Sequence, residues 1–123
     1  RKLLGGGMRQ AGVLAAAGLI ALEEMPTRLA EDHANARLLA EGCSRIPGIR
    51  VDPAAVATNI VILDVSGSGL EAREISRRLK ERGVLINPVN AALMRAVTHY
   101  DVDRAACQRA LEALAEVMAP AHA

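Results

Sequence analysis

The stretch from Gly5 to Leu22 constrains the fold more than any other part of the chain. Three consecutive glycines, Gly5, Gly6 and Gly7, run directly into an almost uninterrupted apolar segment, Ala11 to Leu22. That segment has high helix propensity, and Ala15, Ala16, Ala17 and Gly18 allow another backbone to approach very closely. Met8 to about Met25 therefore reads as one long buried helix that needs cover on most sides. The apolar run itself, Ala11 to Leu22, is well short of the roughly 20 residues that cross a bilayer. A chain of 123 residues has little surface to spare for such cover, so a partner chain or a further domain is expected to supply it. The glycines permit close approach of a backbone to another group, and a helix start behind them suits an anion. With Lys2 and Arg9 on either side, the block reads as a functional loop of a larger enzyme, with further sequence expected upstream.

Composition narrows the partners. The formal net charge is +1 and the hydrophobic share is 51%. That balance, with no long run of like charge, argues against nucleic acid and anionic membranes. Phe and Trp are absent and Tyr100 is the only aromatic residue, so the core is built from Ala, Leu, Val and Ile and nothing is available to stack a series of bases. Cys43 and Cys107 have neither metal nor redox spacing and read as reduced core thiols, with the cytoplasm as the expected location.

After Pro26 a second, amphipathic helix carries Leu29, Ala36, Leu39 and Cys43 at helical spacing and stops at Pro47-Gly48. Asn59 to Val65 is a continuous run rich in β-branched residues and reads as a central strand. Ser68 and Glu71 have the spacing of a capping box for a third helix with Leu70, Ile75 and Leu79 on its inner face, ending at Gly83. Val84–Ile86 and Met94–Thr98 read as short strands, with a minor strand near Val51. Asp101 or Asp103 caps a last helix whose apolar face includes Leu111, Leu114 and Met118. The pattern is α+β, a small sheet with helices on one face. The expected organisation is residues 1–47 as glycine loop and two linking helices, 48–119 as a small α/β subdomain, and 120–123 as a disordered tail.

Five blocks resemble one family: Arg1-Lys2-Leu3-Leu4-Gly5-Gly6-Gly7-Met8-Arg9-Gln10-Ala11-Gly12, Leu29-Ala30-Glu31-Asp32-His33-Ala34-Asn35-Ala36, Thr58-Asn59, Gly83-Val84-Leu85-Ile86-Asn87 and Arg95-Ala96-Val97-Thr98-His99-Tyr100-Asp101. In this order and spacing they look like the low-specificity L-threonine aldolases. The resemblance implies a pyridoxal-phosphate-dependent lyase of fold type I, the aspartate aminotransferase type. It implies cleavage of β-hydroxy-α-amino acids to glycine and an aldehyde, identical subunits forming a homodimer or homotetramer, and a chain that is the C-terminal part, its small domain. The family's Schiff-base lysine, the ring-stacking histidine and the aspartate on the pyridine nitrogen all precede the glycine block. The only lysines here, Lys2 and Lys80, do not match that position, so no catalytic residue is expected in this chain.

What the resemblance leaves to the chain is binding. Arg95 would hold the substrate carboxylate, where a planar guanidinium offers two parallel hydrogen bonds; the alternative is a surface arginine on an edge strand. Arg9 with Gly5, Gly6 and Gly7 would serve the cofactor phosphate of a neighbouring subunit. Lys2 would lie near the substrate, or else is a solvated charge at a fraying terminus. Glu31, Asp32 and His33 are consecutive and have no metal-ligand spacing. His33 reads as a helix-surface residue, His99 as a hydrogen-bonded structural one close to Arg95.

A different class also fits a small α+β unit, namely a free-standing small-molecule-binding or oligomerisation module. The glycine block separates the two, since a regulatory module has no use for Gly5 to Arg9 as a leader. This polypeptide alone is expected to show no aldolase turnover and no specific lysine adduct with pyridoxal phosphate. Borohydride trapping and peptide mapping check it, and stoichiometric labelling of one lysine together with turnover would refute it.

Overall fold

The computed structural model describes residues 2 to 119; the tail expected to be disordered lies outside them. The chain forms two compact units, one running through Ala30 and the other starting at Glu31. In the first, a 3-10 turn at Lys2–Leu4 precedes α1 (Gly12–Glu23), and a second 3-10 turn follows at Met25–Arg28. The helix begins later than Met8 because Gln10 takes a φ of 45°, which no helical residue adopts. It ends before Met25 because Pro26 favours a new helical start. The helix expected to be buried carries no buried residue within this chain, with Val13 75% and Leu22 76% exposed. Its apolar residues surround the axis, so no single face can be turned inward.

The second unit contains α2 (Leu29–Cys43) from Glu31 onward, β1 (Ile60–Asp64), α3 (Ala72–Glu81), β2 (Asn87–Pro88), β3 (Leu93–Val97) and α4 (Arg104–Met118). The three strands are antiparallel in the order β1-β3-β2. Val61, Leu63, Met94 and Ala96 point to one side of this sheet and join Leu39, Cys43, Ile75, Leu79, Cys107 and Leu114 of the helices in one core. This is the α+β pattern with helices on one face. Residues Ala36, Leu39, Ala40 and Cys43 of α2 are buried in that core.

Three details differ from the sequence expectations, each for a backbone reason. The strand expected at the centre, β1, lies at one side of the sheet, and β3 is central. Ile60 and Ile62 are 46% and 45% exposed while Val61 and Leu63 are fully buried, so the continuous apolar run hides one open face. The minor strand near Val51 is a single bridge in which Arg50 N–H donates to Asp64 C=O (2.8 Å) and Asp64 N–H donates back (2.9 Å). The Ser66 hydroxyl and backbone N–H, with the Arg50 guanidinium, hold the Asp64 carboxyl down at about 2. Val84–Ile86 is not a strand, because its backbone turns to α3: Val84 N–H donates to Leu79 C=O (3.0 Å), and Ile86 C=O accepts from Ser76 Oγ (2.8 Å). The pairing begins at Asn87, and Pro88, lacking an N–H, suits an outer strand.

Ser68 does not cap α3. Its hydroxyl accepts from Leu70 N–H and donates to Val65 C=O, because Gly69 at φ 75° turns the chain before the helix begins. Glu71 is the N-cap without a side-chain bond, and Ala72 N–H is instead satisfied by Ala91 C=O at 2.8 Å. Asp103 caps α4, its Oδ1 accepting from Ala106 N–H at 2.7 Å. Cys43 and Cys107 are free and buried, and burial pushes the Cys43 thiol up to about 12.

The end of α3 is closed by Gly83 at φ 74°, where Gly83 N–H meets Lys80 C=O and Val84 N–H meets Leu79 C=O. A Cβ at Gly83 meets nothing, whereas one at Gly48, itself at φ 87°, would stand 2.9 Å from Ser68 Cα. Gly83→Ala should therefore cost only the left-handed backbone penalty of about 1–2 kcal/mol, and Gly48→Ala more. Urea unfolding of the chain checks the order; equal loss at both positions would contradict it.

Candidate functional site

The helix-free face of the sheet presents Arg95 at its centre. Register places Ile62 of β1 on one side of it and Asn87 of β2 on the other, with Val97 and Ile60 paired two positions along. All five are exposed. The phase of the pairing follows from the flanking bonds. Thr98 N–H donates to Asn59 C=O (2.9 Å) and Val65 N–H to Ala92 C=O (2.8 Å). Hydrogen-bonded and non-hydrogen-bonded pairs alternate, so Ile62 and Arg95 form a close pair with Cα atoms about 4.5 Å apart. On the other side, Val89 N–H donates to Leu93 C=O, which makes Asn87 and Arg95 the wider kind, about 5.5 Å. The guanidinium has no ion pair or hydrogen bond among the described residues. The cations Arg50, Arg77, Arg78 and Arg82 are engaged with carboxylates by contrast. Arg95 is thus a charge on an apolar strand face with its donors unspent.

The end of β3 is fixed by a buried polar junction. Thr98, fully buried, donates its hydroxyl to Asp32 C=O of α2 at 2.7 Å. The Asn59 carboxamide closes the last strand pair by donating to Thr98 C=O at 2.8 Å. Asn35 donates to Val102 C=O at 3.1 Å, tying α2 to the turn before α4. Sequence reasoning quoted these residues as blocks but found no chemistry in them. Their only local signal is a polar residue at each end of an apolar strand. The junction holds Arg95, three residues back along β3, in register.

The other expected residues fall elsewhere. Arg9 is exposed and has no hydrogen bond or ion pair among the described residues; it lies in a bend between Gly5 at φ 76° and the start of α1. Gly5, Gly6 and Gly7 are open to solvent. Lys2 lies in the first 3-10 turn, and its side chain is outside what the structure describes. This segment belongs to the first unit and Arg95 to the second. His33 is half-buried on α2. His99 is exposed, its Nδ1 accepting from Asp101 N–H at 3.3 Å. A half-open groove of about 330 Å³, lined by Leu39, Val84, Ile86, His99, Cys107 and Arg109 among others, includes none of the expected binding residues. No group of His, Cys, Asp or Glu among the described residues could hold a metal ion, and no described helix is long and apolar enough to cross a membrane.

Two solved structures share the arrangement. One is C-DES, in a mutant with glycine covalently linked to its PLP cofactor (TM-score 0.70, 25% identity, 86% of this chain and 28% of that one). The other is MppP soaked with the product 2-ketoarginine (TM-score 0.63, 11% identity, 80% of this chain and 30% of that one). The three-stranded antiparallel sheet with helices on one face is the small-domain fold of fold type I, pyridoxal-phosphate-dependent enzymes. The beta-eliminating lyase family matches residues 1–66, and the chain belongs to that family. It is similar to low-specificity L-threonine aldolase 1 of Arabidopsis thaliana, 48% identical over 83% of this chain and 29% of that protein. It is also similar to the low specificity L-threonine aldolase of Escherichia coli, 41% identical over 97% of this chain and 32% of that protein. The chain thus spans about a third or less of the length of these relatives.

The junction generates a stability test. Asn59→Ala takes the carboxamide donor from the Thr98 carbonyl, and Thr98→Val takes the hydroxyl donor from the Asp32 carbonyl; each should cost about 1–3 kcal/mol. Chemical denaturation measures both. A neutral Asn59→Ala would show that the junction does not hold the strand end.

Proposed function

We propose that this chain is the C-terminal part of a pyridoxal-phosphate-dependent threonine aldolase, a carbon–carbon lyase. It would cleave L-threonine, L-allo-threonine and related β-hydroxy-α-amino acids to glycine and an aldehyde. The observation that carries the reading is Arg95, exposed and unpaired on the helix-free sheet face, in a chain whose relatives are named threonine aldolases. A planar fork with free donors fits a substrate α-carboxylate bidentately, and Lys offers no such geometry.

The chain's residues fit an anionic cofactor in type and exposure. Arg9 is an unpaired cation, and the adjoining glycines leave backbone accessible beside it. In this reading Arg9 and Gly5 to Gly7 neutralise and approach the cofactor phosphate of a neighbouring identical subunit, and Lys2 lies towards the substrate. Bound pyridoxal phosphate supplies the electron sink for breaking the Cα–Cβ bond. The chain's task is orientation: Arg95 fixes the carboxylate, with the apolar Ile62 and Val97 beside it on the same sheet face. Lys80, exposed near the end of α3, is given no part in holding the cofactor. Identical subunits as partners and a cytoplasmic setting complete the proposal.

The test is made in the whole enzyme that contains this chain. Removing one partner of a desolvated charge pair costs about 2–5 kcal/mol, and each 1.4 kcal/mol is about tenfold. Arg95→Ala should therefore raise KM for threonine by thirtyfold or more on this scale, while cofactor absorbance persists and Arg95→Lys recovers little. If the variant instead lost pyridoxal phosphate and kept its substrate affinity, Arg95 would belong to the cofactor.

A further inference from the structure

The chain has four asparagines, and three of them spend their carboxamides on backbone groups. Asn35 donates to Val102 C=O and Asn59 to Thr98 C=O. The Asn90 side chain accepts from Ala92 and Leu93 N–H, closing the turn into β3. Asn87 has no such task. Its side chain is exposed and has no hydrogen bond among the described residues, although Asn is a poor strand residue that usually needs a reason to be there.

Its position supplies the reason. Asn87 is the direct cross-strand partner of Arg95, so both side chains leave the sheet on the same helix-free face. Pro88 follows and keeps Asn87 extended, which fixes the direction of its side chain. On the opposite flank of Arg95 stands Ile62, which offers no hydrogen bond. The fork therefore has one apolar and one polar neighbour, and the polar one is held by the strand.

We propose that Asn87 is a second substrate-binding residue, its Nδ2 donating to the α-carboxylate that Arg95 grips. This rests on the assignment of Arg95 to that carboxylate. A carboxylate accepts at up to about four lone-pair sites, so two donors from Arg95 leave room for a third from the carboxamide. The pair would select ligands carrying a free α-carboxylate over amino alcohols and amino esters.

The test compares Asn87→Ala, Asn87→Asp and Arg95→Ala in the whole enzyme, with cofactor absorbance and circular dichroism as checks of integrity. Asn87→Ala should raise KM for threonine about tenfold with kcat within about twofold, as expected for loss of a hydrogen bond to a charged group. Asn87→Asp, the same size but anionic, should raise KM more than Asn87→Ala does. Inhibition by an amino alcohol, which has no carboxylate, should be unchanged in both. Unchanged KM in both Asn87 variants alongside a large effect of Arg95→Ala would overturn the role of Asn87 and leave that of Arg95 intact. Unchanged KM in Arg95→Ala would overturn the carboxylate reading and Asn87 with it. A fall in kcat with cofactor loss and unchanged KM at Asn87 would assign it to the cofactor instead.

Discussion

The antiparallel pairing of β1 with β3 sets the position of every side chain on the open sheet face. Strand side chains alternate with a period of two, so a slip of one residue would send Arg95 into the core and Met94 or Ala96 to solvent. An unpaired guanidinium in that core would cost several kcal/mol in desolvation. The register is pinned at both ends. At one, Asn59 and Thr98 exchange a backbone and a carboxamide bond, and Thr98 is anchored to Asp32. At the other, Val65 N–H is held by Ala92 C=O, and Asp64 is bridged to Arg50.

The turn from β2 to β3 does more than reverse the chain. Asn90 closes it, Ala92 C=O secures the end of β1, and Ala91 C=O receives the first N–H of α3. One turn thereby couples the sheet to the helix layer. The Leu79 carbonyl, by accepting from Val84, draws the following residues along α3 and delays strand pairing until Asn87. That delay is what places a carboxamide, rather than Leu85 or Ile86, opposite Arg95.

The apolar surface is unevenly distributed. The core of the second unit is closed without Phe or Trp, through Leu, Ile, Val, Met and small residues. Outside it, Ile60, Ile62, Val97 and Leu85 are exposed on the second unit, and Val13, Leu14, Leu19, Ile20 and Leu22 on α1. Ile60, Ile62 and Val97 are neighbours on the open sheet face by register, and exposed apolar patches mark interaction sites. This exposure agrees with a chain that spans about a third or less of its relatives' length.

Much of the second unit was legible in the sequence, because local chemistry determines it. The buried positions Ala36, Leu39 and Cys43 of α2, the left-handed close of α3 at Gly83, the Asp103 cap and the inward faces of α3 and α4 all follow from periodicity and from residues whose backbone preferences are strong. The order of the strands did not follow, since Ile60 to Asp64 reads the same whether a strand is buried on one face or on two. Nor did the start of α3, where Ser68 had the spacing of a cap but its hydroxyl took Leu70 N–H in the turn before the helix, while Ala72 N–H is met by Ala91 C=O. The sequence by itself determined that Arg95 carries a charge into an apolar strand. Only the tertiary structure decided what stands beside it. Asn87 and Ile62 flank Arg95 through pairings with residues 8 and 33 positions away, and no local propensity encodes a pairing over that distance.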